Sequence, residues 1–180
     1  MGAGASRGDV GIVTVVGNPK PASRTRAAAE AVAAALDRLR THPGHPTPAT
    51  IELADHAGAL VQWGAPEVAE LKRAVLAAGA LVVASPTYKG AYTGLLKLFL
   101  DQFDRDELGG MPSVALMTGG NAAHALAVEV HLRPVLVEIG ASLPTRGIFL
   151  AGAEVDDPTP VIDGWLAQAA PSLRRALAVG

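Results

Sequence analysis

Val10-Gly11-Ile12-Val13-Thr14-Val15-Val16 is a β-branched run that stops at Gly17, and the stretch from Ser23 to Leu39 that follows is rich in alanine and arginine. A short apolar run without alternation marks a strand buried on both faces, as in a parallel sheet. Ala27, Ala31, Ala34, Ala35 and Leu39 recur at near-helical spacing, so the unit reads strand, loop, helix. The same unit returns along the chain. Thr50 to Leu53 reads as a second strand after the breaker-rich link Thr41-His42-Pro43-Gly44-His45-Pro46-Thr47-Pro48. A loop holding Trp63 then leads to a helix from Pro66 to Ala78 with proline in its first turn. Ala80 to Ala84 is a third strand, Thr93 to Phe103 a leucine-rich helix, Ser113 to Met117 a fourth strand, and Ala122 to Ile139 its helix. Leu143 to Leu150 and Thr159 to Val179 close the series as strand and helix. Five such alternations with short connections predict an α/β fold, an open parallel sheet with right-handed crossovers and helices on both faces.

The composition narrows the function. With 180 residues, 49% hydrophobic and 18% charged, residues 1–180 are expected to form a single domain, residues 1–8 being a disordered Gly/Ala leader. Met1-Gly2 with Ser6 also fits a short N-myristoylation pattern, but no polybasic patch reinforces it. The absence of cysteine excludes disulfides, thiolate metal sites and cysteine nucleophiles, so redox chemistry here needs a borrowed organic group. A net charge of -2 and 4% aromatics give neither the field nor the stacking platforms for nucleic acid. No apolar run approaches a membrane span, and the start lacks a secretory core, so a cytoplasmic protein is expected.

In an open parallel sheet the ligand sits beyond the carboxyl ends of the strands. Three loops stand there, at residues 17–25, 85–92 and 118–124. The first, Gly17-Asn18-Pro19-Lys20-Pro21-Ala22-Ser23-Arg24-Thr25, carries neither the three-glycine dinucleotide fingerprint nor a Walker A lysine. There is no Gly-x-Ser-x-Gly elbow and no His-Glu-x-x-His metal motif. What the first loop offers is hydroxyls from Ser23 and Thr25, charge from Arg24 or Arg26, and the free N–H groups of a helix start, the parts of a phosphate cradle. The same residues also suit a plain helix cap with solvated arginines, and the two readings stand level. In the second loop, Ser85-Pro86-Thr87-Tyr88-Lys89-Gly90-Ala91-Tyr92 sets tyrosines beside glycine. In the third, Thr118-Gly119-Gly120-Asn121-Ala122-Ala123-His124 supplies backbone groups without bulk.

Pro86 to Gly94 followed by Leu96-Lys97 and Asp101, Thr118-Gly119-Gly120 with His124, and Leu132-Arg133-Pro134-Val135-Leu136 together resemble the flavodoxin-like NAD(P)H-dependent FMN reductases of the alkanesulfonate and methanesulfonate type. The resemblance covers roughly residues 10–150. It implies a flavodoxin-like three-layer sandwich with strand order 2-1-3-4-5, and a reaction in which FMN is reduced by NADPH or NADH through stacked rings, with no catalytic side chain. It also implies that Ser23, Arg24 and Thr25 hold the FMN phosphate, that Pro86, Thr87, Tyr88, Lys89 and Gly90 meet the ring system, and that Thr118, Gly119, Gly120 and Asn121 flank its other edge; Asn18 and Lys20, where relatives often have serine and arginine, are expected to bind the cofactor too, and His124 to lie near it. No metal is implied. The implied partners are a flavin-dependent monooxygenase that receives reduced FMN and a second copy of the chain, in a homodimer or homotetramer. An FMN-containing quinone or azo reductase and a flavodoxin-type electron carrier are the competing readings. In the sulfonate-type relatives an inserted residue, often tyrosine, makes a π-bulge after the third loop; here Val130-His131 stands there, and the sequence leaves the bulge open. His131 is expected in the core or at an interface, and Lys97 and Asp101 as a helix-face pair.

Overall fold

The structure is a computed structural model that describes residues 11–40 and 46–178. The leader 1–8, the part of the first link holding His42 and His45, and the end of the last helix at Val179 lie outside the described residues. The strands are β1 (Ile12–Val16), β2 (Ala49–Glu52), β3 (Ala80–Pro86), β4 (Ser113–Gly119) and β5 (Ile148–Ala151). All neighbours pair in parallel, in the order β2-β1-β3-β4-β5. This is the flavodoxin-like order, and the chain reverses direction across the sheet between β1 and β3.

The helices are α1 (Arg24–Asp37), α2 (Ala57–Leu60), α3 (Pro66–Leu76), α4 (Gly94–Leu100), α5 (Arg133–Glu138) and α6 (Thr159–Ala178). Because side chains alternate across a strand, β1 sends Ile12 and Val16 to one face and Val13 and Val15 to the other. On the first face Ala28, Ala29, Val32 and Leu36 of α1 and Trp165, Ala169 and Leu173 of α6 complete a core. The small residues of α1 let that helix lie close on the sheet. On the second face Leu60, Val68, Val75, Leu96, Phe99 and Leu136, from α2 to α5, pack on Leu81, Val83, Ala115 and Met117. The expected three layers are present.

Several boundaries differ from the expectation. The helix expected at 122–139 is three pieces: a 3₁₀ turn at Ala122–His124, a π-helical turn at Val128–Leu132, and α5. Pro134 has no N–H to return to the Val130 carbonyl, and Arg133 N–H instead reaches the Val128 carbonyl, five residues back. The π-bulge that the sequence left open is therefore present, across Val128–Leu132. The strand expected at 143–150 begins only at Ile148. Arg133 donates to the Leu143 and Thr145 carbonyls at 2.8 and 2.6 Å, and Gly147 N–H donates to Glu129 at 2.6 Å, so these backbone groups are spent outside the ladder. α4 stops at Leu100 rather than Phe103, and a 3₁₀ turn at Leu53–His56 with α2 occupies what reads as loop.

Candidate functional site

Gly17 lies so close to α4 that an added Cβ would stand 2.5 Å from Leu96 Cβ. The first loop therefore leaves β1 directly over the start of α4. Thr93 fixes the junction: its hydroxyl donates to the Gly17 carbonyl at 2.5 Å and accepts from Leu96 N–H at 3.1 Å as the cap of α4. Beyond the carboxyl edge of the sheet, this loop and those after β3, β4 and β5 enclose a cleft of about 650 Å³. Asn18, Lys20, Ser23, Arg24 and Thr25 line it from the first loop, Pro86, Thr87 and Tyr88 from the second, and Thr118, Gly119 and Gly120 from the third. Ala22 also lines it, with Gly152, Val155 and Asp156 from a fourth loop that the sequence reading missed. A glycine just past an edge-strand run was the available signal.

In the first loop, Ser23 caps α1 by accepting from Arg26 N–H at 3.2 Å, while Ala27 N–H bonds the Ser23 carbonyl at 3.1 Å. The N–H groups of Arg24 and Thr25, in the first turn, have no acceptor within the helix and mark its positive end. Capping does not exclude the cradle, since a hydroxyl that accepts through a lone pair keeps its proton to donate. Thr25 is buried, and its hydroxyl takes a hydrogen bond from Asn18 Nδ2 at 3.1 Å and shares one of 2.9 Å with Thr118. That relay ties the first loop to the third and leaves Thr25 to offer its N–H rather than its hydroxyl. Asn18 Oδ1 accepts from Lys20 N–H at 2.9 Å, closing the turn. Arg24 pairs with Asp156 across the cleft at 2.9 Å, both side chains being largely exposed. Arg26 turns away to Glu30 at 2.8 Å and Glu52 at 2.6 Å; these hydrogen bonds, Glu30's the stronger, hold its pKa above the ordinary arginine value.

The second loop is pinned where Thr87 N–H donates to the Thr118 carbonyl at 2.7 Å. Tyr88 and Ala91 then exchange backbone hydrogen bonds around Lys89 and Gly90, whose φ angles are 53° and 83°. Two positive φ angles in a two-residue connection are those of a type I′ turn, with glycine at the second position. Lys89 and Gly90 are the tip of this turn and do not line the cleft. Asn121 and His124 are exposed and stand outside it too, Asn121 Oδ1 accepting from Ala123 N–H at 2.9 Å. Thr87 Oγ1 is buried and has no hydrogen-bond partner. His131 is exposed, so the core placement does not hold. Lys97 and Asp101 do form the expected pair, which raises the lysine pKa through the Asp101 hydrogen bond. Among the described residues no group of three or more His, Cys, Asp or Glu could hold a metal ion. Likewise, no described helix is long and apolar enough to cross a membrane.

Comparison with known proteins agrees with this architecture. The FMN reductase (NADPH) of Escherichia coli strain K12 is 32% identical over 146 residues, 81% of this chain and 75% of that one. The NADH-dependent FMN reductase SfnE of Pseudomonas putida is 35% identical over 151 residues, covering 81% and 79%. The X-ray structure of an oxidoreductase from Corynebacterium diphtheriae superposes with a TM-score of 0.77 at 28% identity, over 96% of this chain and 99% of that one. The profile of the NADPH-dependent FMN reductase family matches residues 10–156, which carry all five strands and all four loops of the cleft. The chain belongs to the NADPH-dependent FMN reductase family and is an oxidoreductase.

Proposed function

We propose that the cleft takes FMN as an exchangeable substrate, that NADPH or NADH reduces it there, and that the reduced flavin passes to a partner flavin-dependent monooxygenase. The observation that carries the reading is the meeting, in one cleft of about 650 Å³, of the free N–H groups of α1 and the Ser23 hydroxyl with Thr87 and the glycine-rich segment 118–120 of the neighbouring loops. That volume lies within the roughly 300–1,000 Å³ usual for cofactor-sized ligands. The donor set suits a phosphate monoester joined to a flat polar ring system. Arg24 and Thr25 N–H, the Ser23 hydroxyl and Lys20 would hold the phosphate, and Thr87 and the backbone of 118–120 would meet the ring. A Cβ built on Gly120 meets nothing within 4 Å, so the cleft stays open on that side.

Bound flavin supplies the two-electron chemistry, accepting hydride from a stacked nicotinamide and a proton from solvent. The chain's task is positioning, and its charge arrangement favours release. Arg24 is already paired with Asp156 and Arg26 with Glu30 and Glu52, while Lys20 has no ion pair among the described residues. A phosphate held mainly by backbone and one lysine is bound less tightly than one clamped by free arginines. The chain acts as a single domain on this reading. The exposed Leu98, Leu126, Val130 and Val137 on α4, the π-turn region and α5 support a homodimer or homotetramer.

Steady-state oxidation of NADPH and of NADH, each with FMN, FAD and riboflavin, tests the assignment. The expected result is a clear preference for FMN over riboflavin. Efficient reduction of quinones or azo compounds with no free-flavin requirement would favour the resident-flavin reading, and no nicotinamide oxidation at all would favour an electron carrier.

A further inference from the structure

We propose that Glu52, outside the cleft at the end of β2, is a positioning residue that holds the first loop in its phosphate-binding shape. The inference rests on the FMN reading of the cleft. Ala22 has a φ of 50°, the left-handed region that L-residues other than glycine seldom adopt. Alanine has no polar side chain of its own to stabilise that conformation. Glu52 supplies the missing hold: it is 7% exposed, and its Oε1 accepts from Ala22 N–H at 2.8 Å. Its Oε2 accepts from Arg26 Nη1 at 2.6 Å. One carboxylate therefore grips both ends of the turn from Ala22 to Arg26, and between those ends stand the Ser23 hydroxyl and the N–H groups of Arg24 and Thr25 that face the ligand.

Glu52 does not line the cleft, so it acts through the loop. Position and charge make opposite forecasts for its removal. A buried negative charge near a phosphate site repels the ligand, so by Coulomb's law alone its loss tightens FMN binding. As a positioning residue its loss frees Ala22 from the left-handed region, misaligns the donors, and weakens FMN binding while sparing a flavin without phosphate. The sign of the effect separates the two.

Fluorescence titration with FMN and with riboflavin, on the full chain and on the Glu52→Ala, Glu52→Gln and Glu52→Ala/Ala22→Gly variants, makes the test. For Glu52→Ala the FMN Kd is expected to rise on the order of tenfold, the scale of one or two lost hydrogen bonds, with riboflavin within about twofold. Glu52→Gln keeps an oxygen for Ala22 N–H and is expected within about threefold of the parent. Ala22→Gly, which accepts a positive φ without strain, is expected to recover most of the loss in the alanine variant. Unchanged or tighter FMN binding in Glu52→Ala overturns the proposal, as does equal loss of FMN and riboflavin. Should Glu52→Ala not fold, tighter FMN binding by Glu52→Gln overturns it alone. A parent protein that binds FMN no better than riboflavin sinks the phosphate-cradle reading itself, and the proposal with it.

Discussion

Gly17 and Thr93 set where the first loop begins, and the tolerances are small. An alanine at position 17 would place its Cβ within 2.5 Å of Leu96 Cβ, so Gly17→Ala is expected to cost about 1–3 kcal/mol in denaturant unfolding. Thr93→Ala removes the α4 cap and the tie to Gly17, with an expected cost of about 0.5–2 kcal/mol in the same measurement. Arg24 presents a competition. Asp156 holds it at 2.9 Å across the cleft mouth, and a phosphate would have to share or displace that partner. Asp156→Asn is therefore expected to tighten FMN by about 0.2–1 kcal/mol, the scale of an exposed pair, with no change for riboflavin in parallel titrations. Much of this was legible from residue type: hydroxyls and cations at a helix start pointed to the first loop, and Ser23, Arg24 and Thr25 all meet the cleft. Lys89 and Gly90 were harder to place, because glycine near a ligand loop and glycine closing a type I′ turn look alike in sequence, and the structure sets both at the tip of such a turn. Glu52 was illegible, since its part depends on β2 lying beside β1 and on a strained alanine thirty residues earlier.

The π-turn and the ties across the second face show how whole elements are held. Glu129 projects from the π-turn to Gly147 N–H, and an added Cβ at Gly147 would meet Val128 Cγ2 at 2.5 Å. Glu129→Ala would leave that N–H unpaired, and a loss of about 1–3 kcal/mol in denaturant unfolding is expected. The helix read over 122–139 could not show its hydrogen-bond register, which Pro134 changes without disturbing the buried face of Val128, Leu132 and Leu136. On the same side of the sheet, Lys72 of α3 meets Glu107 at 2.7 Å and the Gln102 carbonyl at 2.7 Å, with its ammonium 5.4 Å from the Phe103 ring centroid. Burial pushes the Glu107 pKa up, but the Lys72 hydrogen bond, the Asp104 N–H and the lysine charge outweigh it, and the net shift is downward. A carboxyl depressed in the folded state contributes stability that is complete above its unfolded value, near 4.5, and is lost as pH falls through the folded one. Unfolding of Glu107→Gln followed from neutral to acid pH should show a shallower decline below about pH 4.5 than the parent.

Across the molecule, the parallel order β2-β1-β3-β4-β5 brings the loops after β1, β3, β4 and β5 to one edge, although Arg24 and Asp156, which meet there, are 132 residues apart in sequence. Short apolar runs ending in glycine or proline made three of those loops readable in advance. The fourth escaped because β5 was expected to start five residues early, which drew attention from Gly152 and Asp156. The helix read at 93–103 is apolar around most of its circumference, and Leu96, Phe99 and Leu100 are spent in the chain's own core while Leu98 alone of its leucines is exposed. The proposed dimer or tetramer would cover Leu98, Leu126, Val130 and Val137, and light scattering that returns a strict monomer would remove that proposal. On the proposed function, flavin enters and leaves this cleft as a substrate. That exchange is tested most directly by stripping the protein of flavin and following NADPH and NADH oxidation against added free FMN. Oxidation is expected only with added FMN and should saturate as FMN rises; a yellow protein that keeps its flavin through dialysis and oxidises nicotinamide at a rate independent of added FMN would rule the exchangeable-substrate reading out.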